Sequence, residues 1–420
     1  MASGFSRKSL RPHGMHPLIY DWNARPPALP GRVLLDDETL RDGLQSPSVR
    51  TPSIEQKLRI LHLIDRLGID TADIGLPGAG PHVVRDVERL AREIAAERLK
   101  VAANCAARTV IADIVPIAAI SQSAGIPIEC CTFIGSSPLR QYAEGWTIDH
   151  LLRLTEDAIR FAVGEGLPVM YVTEDTTRAA PDTLRRLYST AIRAGASRVC
   201  VSDTVGYATP VGAAAVVGFI KTVVDECGGG VGIDWHGHRD RDFAVSNTLA
   251  ALEAGATRLH GCAIGIGERV GNTPMDTLLV NLVLMGYIER DLSALVEYCE
   301  AVSEATGVPI PSNYPVVGAD AFRTATGVHA SAVIKAWRKQ DHDLVDAVYS
   351  GVPARLVGRE QEVDVGPMSG RSNVLFWLER RGLTASDETI DRIFAKAKAS
   401  ASVLTEEEIR VELNRGASAE

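Results

Sequence analysis

"GIDWHGHRDRDFAVSNTLAALEAGATRLHGCAIG", residues 232–265, contains one complete structural unit. A short apolar run (232–238) is followed by an amphipathic helical stretch, and a second apolar run (258–265) closes the unit. That is the signature of two strands joined by a helix. Further runs of the first kind lie upstream: "RVLLDD" (32–37), "TADIGL" (71–76), "LKVAAN" (99–104), "IECCTFI" (128–134), "PVMYVTED" (168–175) and "RVCVSD" (198–203). Eight strand-like runs alternating with helices, in units of roughly 30 residues, predict an α/β fold of the (β/α)8 TIM-barrel type. A doubly wound open sheet is the rival. It rarely needs eight equal units, and no GxGxxG follows the first run.

The helical stretches carry their own punctuation. In "PSIEQKLRILHLIDRLG", Ser53 and Gln56 have capping-box spacing. Ile54, Leu58, Leu61, Ile64 and Leu67 recur at helical spacing, and Gly68 suits the end of the helix. Residues 1–30 hold Pro12, Pro17, Pro26, Pro27 and Pro30 and read as an N-terminal arm. The barrel is expected over 31–290. After residue 290 the rhythm breaks, and 291–420 reads as a mainly helical C-terminal subdomain.

Composition narrows the function. The 420 residues are 45% hydrophobic but only 5% aromatic, which suits a tightly layered α/β protein. A net charge of −9 argues against general nucleic-acid binding, so anionic ligands must be met by local arginines or helix N-termini. The seven cysteines include no CxxC pair, which points to a reducing, cytoplasmic setting. The N-terminus lacks the apolar core of a signal peptide, and no run of ~18 apolar residues suggests a membrane span.

In a TIM barrel the chemistry sits at the C-terminal ends of the strands. There, His236 and His238 stand two apart, so alternation puts both imidazoles on one face. With a carboxylate, such a pair can hold a divalent cation with open positions; the pair alone also fits two solvated loop histidines. In "LLDDETLRDGLQ" (34–45), Asp42 can supply the carboxylate, and Arg41 can meet negative charge developing on a substrate oxygen. The surrounding carboxylates would hold Arg41 by hydrogen bonds. A surface cluster of ion pairs is the bland alternative.

Three motifs, "DETLRDGLQ", "HGHRDRDFAVSNTLAALEAGA" and "GIGERVGNTPMD", resemble those of the acyl-CoA-condensing aldolase-type synthases, which include 2-isopropylmalate, homocitrate and citramalate synthases. The resemblance runs from about residue 32 to about 415. It implies a barrel with a helical C-terminal subdomain that condenses acetyl-CoA with a 2-oxo acid and then hydrolyses the thioester. It further implies Asp42, His236 and His238 as metal ligands with Asn272 close by, and Arg41 as the oxyanion partner. Gln45 and Thr204 match substrate-binding positions, and Glu174 matches a catalytic glutamate. His329 of "TGVHASAVIK" matches the histidine that deprotonates the acetyl methyl group, and Tyr349 matches a supporting tyrosine. The implied cofactor is a divalent cation (Mn, Co, Mg or Zn), with acetyl-CoA as co-substrate. The implied assembly is a homodimer in which the C-terminal subdomain reaches the neighbouring barrel.

The chain also departs from the family pattern. Arg239 stands where many relatives have Asn, and Asp242, after Arg241, stands where Gly is usual. No leucine-sensing C-terminal domain is read, so feedback by that route is not expected. In "TFIGSSPLRQY", Arg140 falls where isopropylmalate-type relatives have His; the stretch resembles the homocitrate form. A guanidinium in a closed pocket needs an anion, and it matches carboxylate or phosphonate in a two-pronged way. The expected acceptor therefore carries a second anionic group: phosphonopyruvate or its phosphinate analogue, 2-oxoglutarate or oxaloacetate. The sequence leans towards a phosphonomethylmalate-type product. The alternatives are 2-oxoisovalerate as acceptor, or an acyl-CoA lyase, for which Cys262 would be the candidate cysteine.

Overall fold

The computed structural model describes residues 16–23 and 31–417, so the arm expected over 1–30 lies largely outside the described residues. These residues fall into two compact units. One ends at Pro309, and the other begins at Ile310 and takes in 16–23.

The first unit is a closed eight-stranded parallel barrel, as the alternation predicts. Its strands are β1 (Leu34–Asp37), β2 (Thr71–Asp73), β3 (Ala102–Arg108), β4 (Ile128–Gly135), β5 (Val169–Glu174), β6 (Arg198–Asp203), β7 (Gly232–Gly237) and β8 (Arg258–Gly261). β1 pairs with both β2 and β8, with Asp36 opposite His260, and this closes the ring. Its helices are α1 (Ile54–Arg66), α2 (Pro81–Glu97), α3 (Ile111–Ala124), α4 (Pro138–Glu144), α5 (Ile148–Gly164), α6 (Pro181–Ala194), α7 (Pro210–Glu226), α8 (Ala244–Ala254), α9 (Met275–Leu284) and α10 (Leu295–Thr306).

Local chemistry explains the boundaries. Ser53 Oγ accepts from the Gln56 amide, and Gln56 Oε1 accepts from the Ser53 amide, which is the expected capping box. Gly68, at φ +69°, sits just past the end of α1, where a left-handed residue is favoured. α1 buries Ile60, Leu61, Leu63 and Ile64, whereas Leu58 is only partly covered. β3 starts later than the apolar run suggests and continues through "CAAR". Its pairing with β4 extends to Arg108 opposite Phe133, yet small residues carry no strand signal in sequence. β8 stops at Gly261, because Ile264 turns to φ +47° and its amide is taken by the Asp276 carboxylate at 2.6 Å.

The boundary expected at residue 290 lies instead between Pro309 and Ile310. α10 belongs to the barrel. Its Tyr298 is fully buried and bonds Thr39 Oγ1 at 3.0 Å and the Asp37 carboxylate on β1, while Glu297 pairs with Arg66 of α1 at 2.8 Å. Helical periodicity alone does not say which core a helix joins.

The second unit holds α11 (Gly327–Arg338), α12 (His342–Ala347), α13 (Arg371–Arg380), α14 (Asp387–Ala399) and α15 (Glu406–Ala417), with a two-stranded pairing of Arg323–Thr324 and Glu362–Val363. Val374, Trp377, Ile390 and Ile393 centre one core cluster, and Ala330, Val333, Ile334 and Phe376 a second. No described helix is long and apolar enough to cross a membrane. All seven cysteines are free thiols.

Candidate active site

The ends of β1 and β7 bring the first constellation together. Asp42 opens a short helical turn (Asp42–Gln45) just after β1; His236 lies on β7 and His238 just beyond it. One donor atom from each of the three lies within 4.8 Å of the others, and all three residues are buried. Burial and the neighbouring His236 bring His238 down to about 4, so at neutral pH it is uncharged and has a lone pair to give. For Asp42, burial raises the pKa, but Arg41, His236 and His238 outweigh it, and the carboxylate is held below its ordinary range. His236 Nδ1 lies 2.6 Å from Glu38 Oε2, which leaves Nε2 as the nitrogen free to coordinate.

The residues present fit a divalent cation. His238 Nδ1 and Asn272 Oδ1 are buried polar atoms without a hydrogen-bond partner, on residues joined by a β-bridge. Such orphans are costly unless something meets them. Asn272 Nδ2 donates to Asp42 Oδ1 at 2.8 Å and to the Ile266 carbonyl at 3.2 Å. The glycines of "GIGERVGN" permit this approach. A Cβ on Gly267 would lie 2.2 Å from Asn272 Nδ2, and one on Gly271 1.8 Å from the Gly265 carbonyl oxygen.

Arg41 sits at the hub. Nε donates to Asp73 Oδ2 at 2.6 Å, Nη1 to Asp42 Oδ2 at 2.7 Å and Nη2 to Glu38 Oε1 at 2.9 Å. The expectation that neighbouring carboxylates hold it needs correcting in its members. Glu38 and Asp42 do so. Asp36 instead accepts from Asn104 Nδ2 inside the barrel, and Asp37 turns away to Tyr298 and the Thr39 amide. Strand alternation separates Asp36 and Asp37, and neither can follow Arg41 round the turn.

The β4–β5 side differs. Glu174 closes β5 half-buried, and burial raises its pKa despite the opposing charge of Arg140. Arg140 lies on α4 with its side chain 48% exposed; it pairs with Glu144 at 3.1 Å and stacks near Trp146. Arg140 is thus half in solvent with its own counter-ion, and does not lie in the closed pocket expected from sequence. Thr204 Oγ1 accepts from the Asp175 amide at 2.8 Å, tying the β6 end to the β5 end. Gln45 is exposed. Arg239 Nε binds the Val270 carbonyl and Arg241 the Tyr207 carbonyl, so both arginines hold loop backbone.

His329 and Tyr349 belong to the C-terminal unit. Their rings stack with centroids 4.1 Å apart, and both are exposed. Beside them is an open cavity of about 550 Å³, lined by Val328, Ser331, Lys335, Tyr349, Gly370 and Ser372. Cys262, the cysteine of the lyase alternative, is fully buried, and burial pushes its thiol well up.

Sequence reasoning missed Asp73, Asp234 and His260. Asp73 is buried on β2 and, chiefly through that burial, is pushed up to about 7. His260 Nδ1 lies 3.1 Å from Glu38 and its Nε2 2.9 Å from Asp234. The available signal was polar residues inside apolar runs at alternate positions: Asp234 with His236, and Arg258 with His260.

Barrel topology, strand-end donors and a buried arginine hub together define a (β/α)8 barrel with a candidate cation site at the C-terminal ends of its strands. The chain belongs to the HMGL-like family, whose model matches residues 32–302. Within it the chain sits among the acyl-CoA-condensing synthases. It is 35% identical over 376 residues to homocitrate synthase AksA of Methanopyrus kandleri, covering 88% of each chain. It is 30% identical to 2-isopropylmalate synthase of Pyrococcus furiosus, over 87% of this chain and 72% of that one. The fold is also that of the HMG-CoA lyase of Bacillus subtilis, with a TM-score of 0.56 at 21% identity over 68% of this chain and 97% of that one.

Proposed function

We propose that the barrel condenses acetyl-CoA with a 2-oxo acid in a divalent-cation-dependent reaction and releases free CoA by thioester hydrolysis. The observation that carries this reading is the buried Asp42, His236 and His238 triad beside Arg41, with the unpartnered atoms of His238 and Asn272 next to it. A cation held by those three residues supplies Lewis acidity to the ketone of the acceptor. Arg41 is fixed by three carboxylates before any ligand arrives, so it meets developing oxyanion charge without reorganising. Glu174, with its raised pKa, holds or passes a proton at the β5 end. His329 is the base for the acetyl methyl group, assisted by Tyr349 and supplied by the neighbouring chain of a homodimer. Gln45 and Thr204 contact the acceptor.

For the acceptor, the homocitrate-like stretch around the half-exposed Arg140 supports a 2-oxo acid with a second anionic group met by that residue: phosphonopyruvate, phosphinopyruvate, 2-oxoglutarate or oxaloacetate. A phosphonomethylmalate-type product is preferred. The relatives are named for different products, so likeness alone does not choose among acceptors. A lyase role for Cys262 is disfavoured, since a fully buried thiol with a raised pKa is a poor reactive group.

The test is CoA release from acetyl-CoA against a panel of these acids and 2-oxoisovalerate. Activity should vanish on chelation and return with Mn²⁺ or Co²⁺. Full turnover in metal-free protein would refute the cation reading, and preference for 2-oxoisovalerate would refute the anionic acceptor.

A further inference from the structure

Glu38 is 3% exposed and binds three groups at once. Its Oε2 lies 2.6 Å from His236 Nδ1, and its Oε1 receives Arg41 Nη2 at 2.9 Å and faces His260 Nδ1 at 3.1 Å. Behind it, His260 Nε2 lies 2.9 Å from Asp234 Oδ2, and Asp234 is gripped by Arg198 Nε at 2.6 Å and Arg258 Nε at 2.5 Å. A continuous polar chain thus runs up the barrel interior, from the arginines on β6 and β8 to the imidazole at the mouth.

We propose that Glu38 is a positioning residue that sets His236 and Arg41 together, with His260 and Asp234 as its backing. This rests on the cation-dependent reading above. An imidazole offers a cation only the nitrogen that carries no proton, and its other nitrogen must then donate. Glu38 accepts that donation, which fixes both the tautomer and the ring plane of His236. The same carboxylate takes one arm of the Arg41 fork, so the cation-facing imidazole and the oxyanion-facing guanidinium share one support. Displacement of Glu38 would disturb both.

Glu38, His236 and His260 also have donor atoms within 4.8 Å of one another and could in principle hold an ion themselves. The hydrogen bonds speak against it. Both nitrogens of His260 face carboxylates, and Arg41 occupies Glu38 Oε1, so a second cation would have to displace a guanidinium and sit against its charge.

The experiment titrates Co²⁺ into metal-free full-length protein by calorimetry and records the visible absorption of the Co²⁺ form at saturation. Wild type is compared with Glu38→Gln, His260→Gln and the ligand control His238→Ala. Glu38→Gln keeps the shape but lets an amide N–H face His236. It should weaken Co²⁺ binding by roughly 10–100-fold, the usual range for such outer partners, while the saturated spectrum stays close to wild type because the ligands are unchanged. His260→Gln should weaken binding by a smaller factor and leave the spectrum in place. His238→Ala should change both. A merely structural Glu38 would lower the thermal midpoint of the metal-free protein without moving Co²⁺ affinity, and that result overturns the proposal. Should Glu38→Gln not fold, wild-type affinity in His260→Gln overturns it equally. Two further outcomes keep the readings apart. Weakened Co²⁺ binding in Glu38→Gln, with no CoA release by wild type on any acceptor, supports the positioning role while sinking the condensation. Equal Co²⁺ binding by wild type and His238→Ala sinks the cation site and the positioning role with it.

Discussion

The two sides of the barrel mouth are built differently. Around β1, β7 and β8 the charged donors are buried and interlocked: Arg41 is held by Glu38, Asp42 and Asp73, and His236 by Glu38. Across the ring, at β4 and β5, Arg140 and Glu144 are 48% and 38% exposed and hold each other as helical neighbours. A buried network cannot change one member without stranding the rest. A half-exposed pair can change at little cost to folding. The difference teaches where variation can be accommodated. The interlocked side cannot vary one member at a time, whereas the open side, where the proposed acceptor contact Arg140 stands, can be changed at little cost to the fold.

The largest effect should come from Arg41→Ala, which breaks the interlocked side outright. Glu38, Asp42 and Asp73 would face one another in the interior without their shared cation, a loss of roughly 3–5 kcal/mol in stability. CoA release should also fall by roughly 10²–10³-fold or more. Arg41→Lys should recover only part, since one ammonium cannot reach three carboxylates in a planar fork. Urea unfolding and steady-state CoA release check both. A stability change under about 1 kcal/mol would show that the two sides do not differ in this way.

Next in size is a pH effect at the end of β1, four residues before Arg41. Asp37 is fully buried, and its pKa is raised to about 7 chiefly by that burial, against the lowering by Tyr298 and Thr39. A carboxyl with a raised pKa favours the fold fully below its unfolded value near 3.8, and that contribution is lost as pH climbs to about 7. A rise of about three units corresponds to on the order of 4 kcal/mol as an upper bound. Asp37→Asn lacks the titration, so its stability relative to wild type should rise from pH 4 to pH 8. Denaturant midpoints for both proteins across that range measure it. A difference that stays flat with pH would mean that Asp37 remains ionised in the fold.

How far the sequence led follows the same division. The barrel was legible because eight apolar runs punctuate the chain, and the meeting of Asp42 with His236 and His238 was legible because the histidines stand two apart at the end of one run and Asp42 follows the first. Asp73, Asp234 and His260 were not, since nothing in one sequence says which polar residues meet across a closed ring. The environment of Arg140 was misjudged for a related reason. A motif fixes the residue type, but exposure depends on how α4 leaves the strand end, and Glu144 one turn later supplies the counter-ion. α10 was placed in the wrong unit because an amphipathic pattern does not name its partner; Tyr298 packing behind β1 decides it.

Arg140→Ala should leave stability within about 0.5 kcal/mol, as befits an exposed pair. If Arg140 meets the second anionic group, kcat/KM for that acceptor should fall by about 1.5–3 kcal/mol, the range for a hydrogen bond to a charged partner. The rate with 2-oxoisovalerate should stay put. Equal loss for both acids would assign Arg140 to the structure of the rim and remove it from acceptor choice.

The smallest effect isolates Glu144. Its carboxylate occupies Arg140 Nη1 at 3.1 Å, so an anionic acceptor that used Arg140 as proposed would compete for the same guanidinium. The pair lies four residues apart on a helix and is partly solvated, so the competition is worth about 0.3–0.5 kcal/mol. Glu144→Gln should release Arg140 and lower KM for the preferred anionic acceptor about twofold, with kcat unchanged because no reacting atom is touched. The gain should shrink with added salt, which already screens the pair. KM for 2-oxoisovalerate should not move. The opposite result, a higher KM for the anionic acid, would mean that Glu144 holds Arg140 in its working position. The open side of the mouth would then be pre-organised as well, and the contrast between the two sides would narrow to one of burial alone.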